Sequence, residues 1–219
     1  MNTVGVYEAM STLRAVRRLK PDPIPQAVLH RVLEAATWAP TGSNRQPWRV
    51  IVVRKAALKR ELGRLYAEQW RRFSAAYESV LAAMEDNERT RQEKMVRAGD
   101  YLAEHYGETP AILVFCFNPK LMAITDAALE RPSVVGGASI YTAVENALLA
   151  CRAEGLGCTL TTLLCVSEPE VKALLGIPEG WGTAAYLPIG YPKLRGHGPI
   201  TRRPVAKLAY ADEWKHPFE

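Results

Sequence analysis

Long uninterrupted apolar runs are missing from this chain of 219 residues: none approaches the ~18–20 that a membrane-spanning helix requires. Met1 to Met10 has neither a basic start nor an apolar stretch, so no secretory leader is expected. Cysteine is scarce. The four present, Cys116, Cys151, Cys158 and Cys165, form no Cys-x-x-Cys pair and sit in apolar contexts such as Val114 to Phe117, which reads as buried, reduced thiols. The four histidines, His30, His105, His197 and His216, form no cluster at metal-ligand spacing, and no metal site is expected. Gly-rich nucleotide signatures are absent too, both the dinucleotide turn and the phosphate loop, and so is the Gly-x-Ser-x-Gly elbow of hydrolases. If the chain is an enzyme, its difficult chemistry belongs to a cofactor and no catalytic side chain is assigned. These absences lead to the expectation of a cytoplasmic protein.

What is present is an ordinary globular composition, 48% apolar and 23% charged, with 28 Lys and Arg against 23 Asp and Glu. The resulting net charge of +5 is unevenly spread. Residues 1–60 hold 11 basic and 3 acidic side chains, residues 61–190 hold 11 and 17, and residues 191–219 hold 6 and 3. Basic residues are thus gathered at the two ends of the chain. A nucleic-acid surface would show a basic stripe with interleaved aromatics, which is not the pattern here. Two basic ends are compatible with one small anion held between them, or with plain solvated surface.

No internal repeat, linker or break in composition divides the chain, so one domain over 1–219 is expected. Residues 4–16 read as a short helix, followed by the extended break of Pro21, Pro23 and Pro25. Val28, Val32, Leu33, Ala36 and Trp38 give a helical apolar stripe ending near Pro40. Trp48 to Val53 and 111–117 are dense in apolar and β-branched residues and predict strands. The Pro-free stretch 55–106 predicts two or more helices, Val134 to Glu154 one long helix, and 157–164 a further strand. A helix over 167–175, with Ser167 as its cap and Glu170 three residues on, precedes a last core strand, Thr183 to Ile189. The final 29 residues hold little that makes a compact helix, so the tail is expected to pack on a partner subunit.

Three segments carry candidate chemistry. Arg14, Arg17, Arg18 and Lys20 fall close together, and guanidinium forks at that density grip a phosphate bidentately, although helix ends favour cations in any case. Ala39 to Trp48 packs short hydroxyl and amide side chains between two prolines, just before a strand. Gly42 permits close backbone approach, while Asn44 and Gln46 donate and accept, as a heteroaromatic ring needs; the alternative is a plain helix-to-strand turn. Pro199 to Pro204 brings a second arginine pair, Arg202 and Arg203.

Taken in order, these segments resemble the FMN-dependent nitroreductase family. Its opening arginine pattern corresponds to Leu13 to Leu19, and its Ala-Pro-Ser-x-x-Asn-x-Gln-Pro-Trp pattern is nearly intact at 39–48. Its later helix and Gly-Leu-Gly turn correspond to Ala138 to Gly157, its closing strand and Gly-Tyr-Pro to Tyr186 to Pro192, and its basic residue before a proline to Arg202, Arg203 and Pro204. The chain departs from the pattern at Leu13, where the family has arginine, and at Ala15, where it commonly has serine; Thr12 or Arg18 stand nearby to compensate.

The resemblance implies an α+β fold with a mixed central sheet flanked by helices, working as an intertwined homodimer whose C-terminal tails are exchanged. It implies FMN at the dimer interface. Arg14, Ala15, Arg17, Arg18 and Arg202 would lie around the phosphate end, with Arg14, Arg17 and Arg202 holding the phosphate itself. Pro40, Thr41, Gly42, Ser43, Asn44 and Gln46 would approach the flavin from the opposite subunit, and the backbone of Thr162 and Leu163 would meet its N5 edge. The implied activity is ping-pong hydride transfer from NAD(P)H through FMN to a nitroaromatic, a quinone or a similar small acceptor. Relatives with the same cofactor but a different reaction (oxidation, dehalogenation, oxygen-using chemistry) are the alternative, and a non-enzymatic flavin carrier a further one. Trp70, Phe73, Tyr77, Tyr101 and Tyr106 stand either to stack on the acceptor or simply to line a helix face.

Overall fold

A strand that is apolar on both faces has to be covered on both sides, and two strands here are of that kind. The computed structural model describes residues 4–218; Met1 to Thr3 and Glu219, the two extremes of the expected domain, lie outside the described residues. It places β2 (Ala111–Phe117) and β4 (Gly182–Gly190) side by side at the centre of a four-stranded sheet. β1 (Trp48–Val53) and β3 (Gly157–Cys158) form its edges, in the order β1–β2–β4–β3. All three ladders are antiparallel, with Val50 opposite Phe115, Val114 opposite Tyr186 and Cys158 opposite Ile189. Among the described residues, parallel pairing enters at the edge, through a single bridge between Ala15 and Cys158.

Side chains alternate across a strand, so β2 and β4 supply two cores at once. Leu113, Phe115, Ala185, Leu187 and Ile189 face α2 (Gln26–Thr37) and α5 (Tyr141–Ala153), which bury Leu29, Val32 and Ala36, and Ala143, Val144, Ala147 and Cys151. Ile112, Val114, Cys116 and Tyr186 face the other way. There they meet Leu62, Tyr66 and Trp70 of α3 (Ala56–Ala82), Leu102 of α4 (Asp86–His105), and Val171 of α6 (Glu168–Leu175). α3 and α4 form a hairpin whose crossing rests on Gly99: a Cβ there would lie 2.0 Å from the Trp70 ring. The indole is fixed from the same side, donating from Nε1 to Asp100 at 2.7 Å.

Four expectations are corrected. The first helix, α1, spans only Val6–Thr12, because Leu13 to Leu19 is drawn out to pair with the sheet edge: Val16 N–H donates to the Cys158 carbonyl at 2.8 Å and Leu19 bridges Pro192. The helix read from Val134 begins at Tyr141, after a 3-10 turn over Val135–Ser139 in which Gly136 makes room for Met122. The strand read over 157–164 pairs at Gly157–Cys158 and through one bridge, Thr161 to Tyr186, before a 3-10 turn at Leu163–Ser167. Ser167 does not cap α6; its buried hydroxyl accepts instead from the Gln69 amide at 2.9 Å.

Candidate functional site

The extended run from Leu13 to Leu19 sets the first group of candidates. Ala15 lies in the bridge to Cys158. Arg14 is exposed; its N–H lies 3.3 Å from His197 Nδ1, and its guanidinium borders Gly198. Arg17, three residues on, is half-buried and enters a cavity of about 260 Å³. Tyr66, Trp70 and Phe73 of α3, Met95 of α4, and Thr159 to Leu163 wall that cavity. Arg18 turns elsewhere, its guanidinium 4.1 Å above the Tyr101 ring.

Arg17 is the unusual member of this set. Among the described residues its guanidinium has neither a hydrogen-bond acceptor nor a carboxylate at ion-pair distance, and the same lack of a carboxylate holds for Arg14, Arg18 and Arg202. Burial holds Arg17 below the usual arginine value, with Tyr66 opposing in part. A half-buried cation without a counter-charge carries a desolvation cost that a bound anion or carbonyl group would offset.

The second group is the turn after α2. Pro40 and Gly42 to Gln46 are exposed and Thr41 is half-buried. Ser43, Asn44 and Gln46 hold φ values of 51°, 53° and 47°, a left-handed conformation that costs energy for a residue with a side chain. The turn is over-determined by its own bonds. Gln46 N–H donates to Thr41 Oγ1 at 3.0 Å, the Gln46 amide donates to Asn44 Oδ1 at 3.1 Å, and Gly42 N–H donates to Ser139 Oγ at 3.1 Å. Thr142 of α5 reaches the Pro40 carbonyl at 3.4 Å. Backbone strain held in place at the surface is a feature of binding loops.

Thr162 and Leu163 complete the cavity beside Arg17. Thr162 is exposed, and the Leu163 N–H makes only a long bond, 3.4 Å, to Thr161 Oγ1. Thr162 also borders a second cavity of about 410 Å³, lined among others by Phe117, Met122, Tyr141 and Cys165. Burial pushes the Cys165 thiol up, away from the reactive thiolate form.

The structure therefore brings Arg17, Thr162 and Leu163 into one cavity, and Arg14 to the root of the tail. Among the described residues of one chain it brings no hydrogen bond between the 40–46 turn and either of these, and the one hydrogen bond of Arg202 is to the Thr201 carbonyl, at 2.9 Å. Every hydrogen bond made by residues 199–218 among the described residues stays within the tail. Val205, Leu208 and Trp214 are nevertheless 65%, 63% and 81% exposed, so these apolar side chains find little cover among the described residues of their own chain. His197, Ser139, Thr142 and Tyr66 were not among the predicted site residues. Only His197 carries a signal in the sequence, as a lone histidine between two glycines before a basic tail. Among the described residues no group of His, Cys, Asp and Glu is arranged to hold a metal ion, and no helix is long and apolar enough to cross a membrane.

Comparison with known proteins adds four observations. A sequence model of the Nitroreductase family matches residues 12–191. The chain is 29% identical to "NADH dehydrogenase" of Thermus thermophilus, over 89% of this chain and 90% of that one. It is 24% identical to "Iodotyrosine deiodinase" of Nematostella vectensis, over 92% of this chain and 73% of that one. Its fold matches the crystal structure of a nitroreductase with bound FMN from Desulfitobacterium hafniense with a TM-score of 0.66, at 23% identity and covering 97% of this chain and 100% of that one.

Proposed function

This chain belongs to the nitroreductase family, and from that premise we propose that it is an FMN-dependent oxidoreductase that takes electrons from NAD(P)H and passes them to a nitroaromatic, a quinone or a similar small acceptor. The observation that carries the reading is the cavity that an Arg17 guanidinium, unpartnered among the described residues, shares with the exposed Thr162 and the half-buried Leu163. Bound FMN would supply the two-electron chemistry, accepting hydride from the reduced nicotinamide and delivering it to the acceptor in a ping-pong cycle.

The residues present fit such a group. Arg17, expected at the phosphate, lies instead inside the cavity with Thr162 and Leu163, and that position suits the pyrimidine edge of the flavin, where a fixed positive charge stabilises a developing anion without reorganisation. Arg14, exposed at the root of the tail, suits the phosphate, joined by Arg202. Pro40, Thr41, Gly42, Ser43, Asn44 and Gln46 present donors and acceptors outward from a pre-strained turn that no other candidate residue of the same chain engages. This supports a homodimer in which that turn meets the flavin bound mainly by the partner. The exposed tail supports the same arrangement. So does an apolar groove of about 440 Å³ between α1, α2 and α5, lined by Val6, Ala9, Trp38, Leu149 and Ala150, with Trp38 73% exposed. The reading includes one domain per chain, a cytoplasmic location and protons drawn from water rather than from a dedicated acid.

A second reading keeps FMN and changes the reaction; it is favoured by the fact that relatives of similar identity carry names as different as NADH dehydrogenase and iodotyrosine deiodinase. Steady-state oxidation of NADH and NADPH with a panel of nitroaromatics, quinones and iodophenols separates the two. The first reading expects turnover with the nitroaromatics or quinones, whereas turnover confined to dehalogenation contradicts it. The phosphate assignment has its own test: Arg14→Ala combined with Arg202→Ala lowers FMN affinity by at least about tenfold, as loss of charge-assisted contacts does, while the far-UV spectrum is unchanged.

A further inference from the structure

Between β4 and the tail the chain reads Gly196, His197, Gly198. Gly196 turns it in the left-handed region, with φ 71°. The His197 ring that follows is held at both nitrogens: Nε2 lies 2.8 Å from the Leu156 carbonyl oxygen, and Nδ1 lies 3.3 Å from the Arg14 backbone nitrogen. A carbonyl only accepts and a backbone amide only donates, so the proton sits on Nε2 and the Nδ1 lone pair receives the Arg14 N–H. Gly198 then donates its own N–H to the Thr12 carbonyl at 2.9 Å. One neutral imidazole thus ties the Gly-Leu-Gly turn to the Arg14 backbone at the point where the tail departs.

We propose that His197 is a positioning residue of the cofactor's phosphate site, which holds Arg14 in place while its imidazole is neutral and releases it when Nδ1 takes a proton. The proposal rests on the assignment of Arg14 to the FMN phosphate. Protonation sets an N–H against the Arg14 N–H and adds a charge between two cations, Arg14 from the extended segment and Arg152 from α5. Arg152 is itself held by Thr12 Oγ1 at 2.8 Å and by the Glu8 carboxylate of α1 at 3.2 Å, so the nearby acid is already engaged. No carboxylate touches the ring among the described residues. Burial is the main cause that keeps His197 below its ordinary value of 6.5; the Leu156 carbonyl opposes it, and Arg152 and Arg14 add to it. A folded-state value below the unfolded one means that the contribution is present above about pH 6.5 and is lost as the pH falls from there.

The test is FMN affinity of the full chain, read by flavin fluorescence from about pH 5 to pH 8, for wild type, His197→Asn and His197→Ala. Asn carries an amide oxygen near the Nδ1 position and accepts the Arg14 N–H without titrating. The second proton of the FMN phosphate, with a value near ~6, affects all variants alike, so the difference between profiles is the readout. At about pH 7.5, His197→Ala weakens binding about tenfold, the effect of losing both hydrogen bonds of the ring, and His197→Asn stays within about threefold of wild type. Between there and the acid end of the range, wild type loses about twofold to tenfold more affinity than His197→Asn, the gap widening as the pH falls below about 6.5. Parallel profiles for wild type and His197→Asn overturn the proposal, and so does wild-type affinity that rises on acidification relative to Asn, which would place the imidazolium on the phosphate itself. The wild-type against Asn comparison stands if the Ala variant fails to fold. A wild type that binds no FMN at any pH overturns the underlying cofactor reading, and this proposal with it.

Discussion

Arg17 owes its proposed role to what surrounds it rather than to its charge alone. Arg18, its neighbour in sequence, carries the same charge but lies against Tyr101, whereas Arg17 is drawn into an aromatic cavity with no acceptor at hand. In the cofactor-free protein such a group destabilises, so its removal separates stability from binding. Arg17→Met leaves the stability of the cofactor-free protein unchanged or raises it, by up to about 1 kcal/mol. The same change weakens FMN binding by about 10–100-fold. Calorimetry and flavin titration on one preparation check both signs; a fall in both means that Arg17 serves packing only.

At the level of elements, the segments legible from composition were those whose burial is decided locally. Trp48 to Val53 and 111–117 became strands over the expected residues because continuous apolar, β-branched runs of that length admit little else. Legibility failed where a distant partner decides. Leu13 to Val16 is expected as the end of a helix over 4–16 but is extended in fact, since Cys158 offers Val16 a backbone partner more than 140 residues away, and Pro192 bridges Leu19 further along the same run. Ser167 matches a capping box, yet Gln69 of α3 claims its hydroxyl. The candidate site divides likewise: the 39–48 motif was visible as a cluster of residue types, whereas the imidazole of His197 acquires meaning only through contacts with Arg14 and Leu156. The α3–α4 hairpin yields a prediction of its own. Gly99→Ala drives a methyl group into the Trp70 ring, where the added Cβ would lie 2.0 Å from ring atoms. Overpacking of this kind costs about 1–3 kcal/mol, which corresponds to a melting temperature lower by about 3–10 °C in a chain of this size. A melt within error of wild type would show that this crossing tolerates displacement.

For the molecule as a whole, the basic ends of the chain and the uncovered tail have one explanation between them. Arg14 stands at the root of the tail, Arg202 is on it, and Val205, Leu208 and Trp214 of the tail stay mostly exposed. Ending the chain after Gly198 is therefore expected to leave the helix and strand content intact while abolishing dimerisation and FMN retention, as read by circular dichroism, sedimentation and flavin absorbance. A truncated protein that remains a flavin-loaded dimer contradicts the tail's part in the account. The central claim is most directly tested by the visible spectrum of the purified full chain, reconstituted with FMN and then titrated with NADH or NADPH without oxygen. The account predicts a yellow protein holding FMN in equimolar amount, whose flavin band bleaches with one or both nicotinamides and returns on addition of a quinone or nitroaromatic. A colourless protein that takes up no added FMN would contradict it.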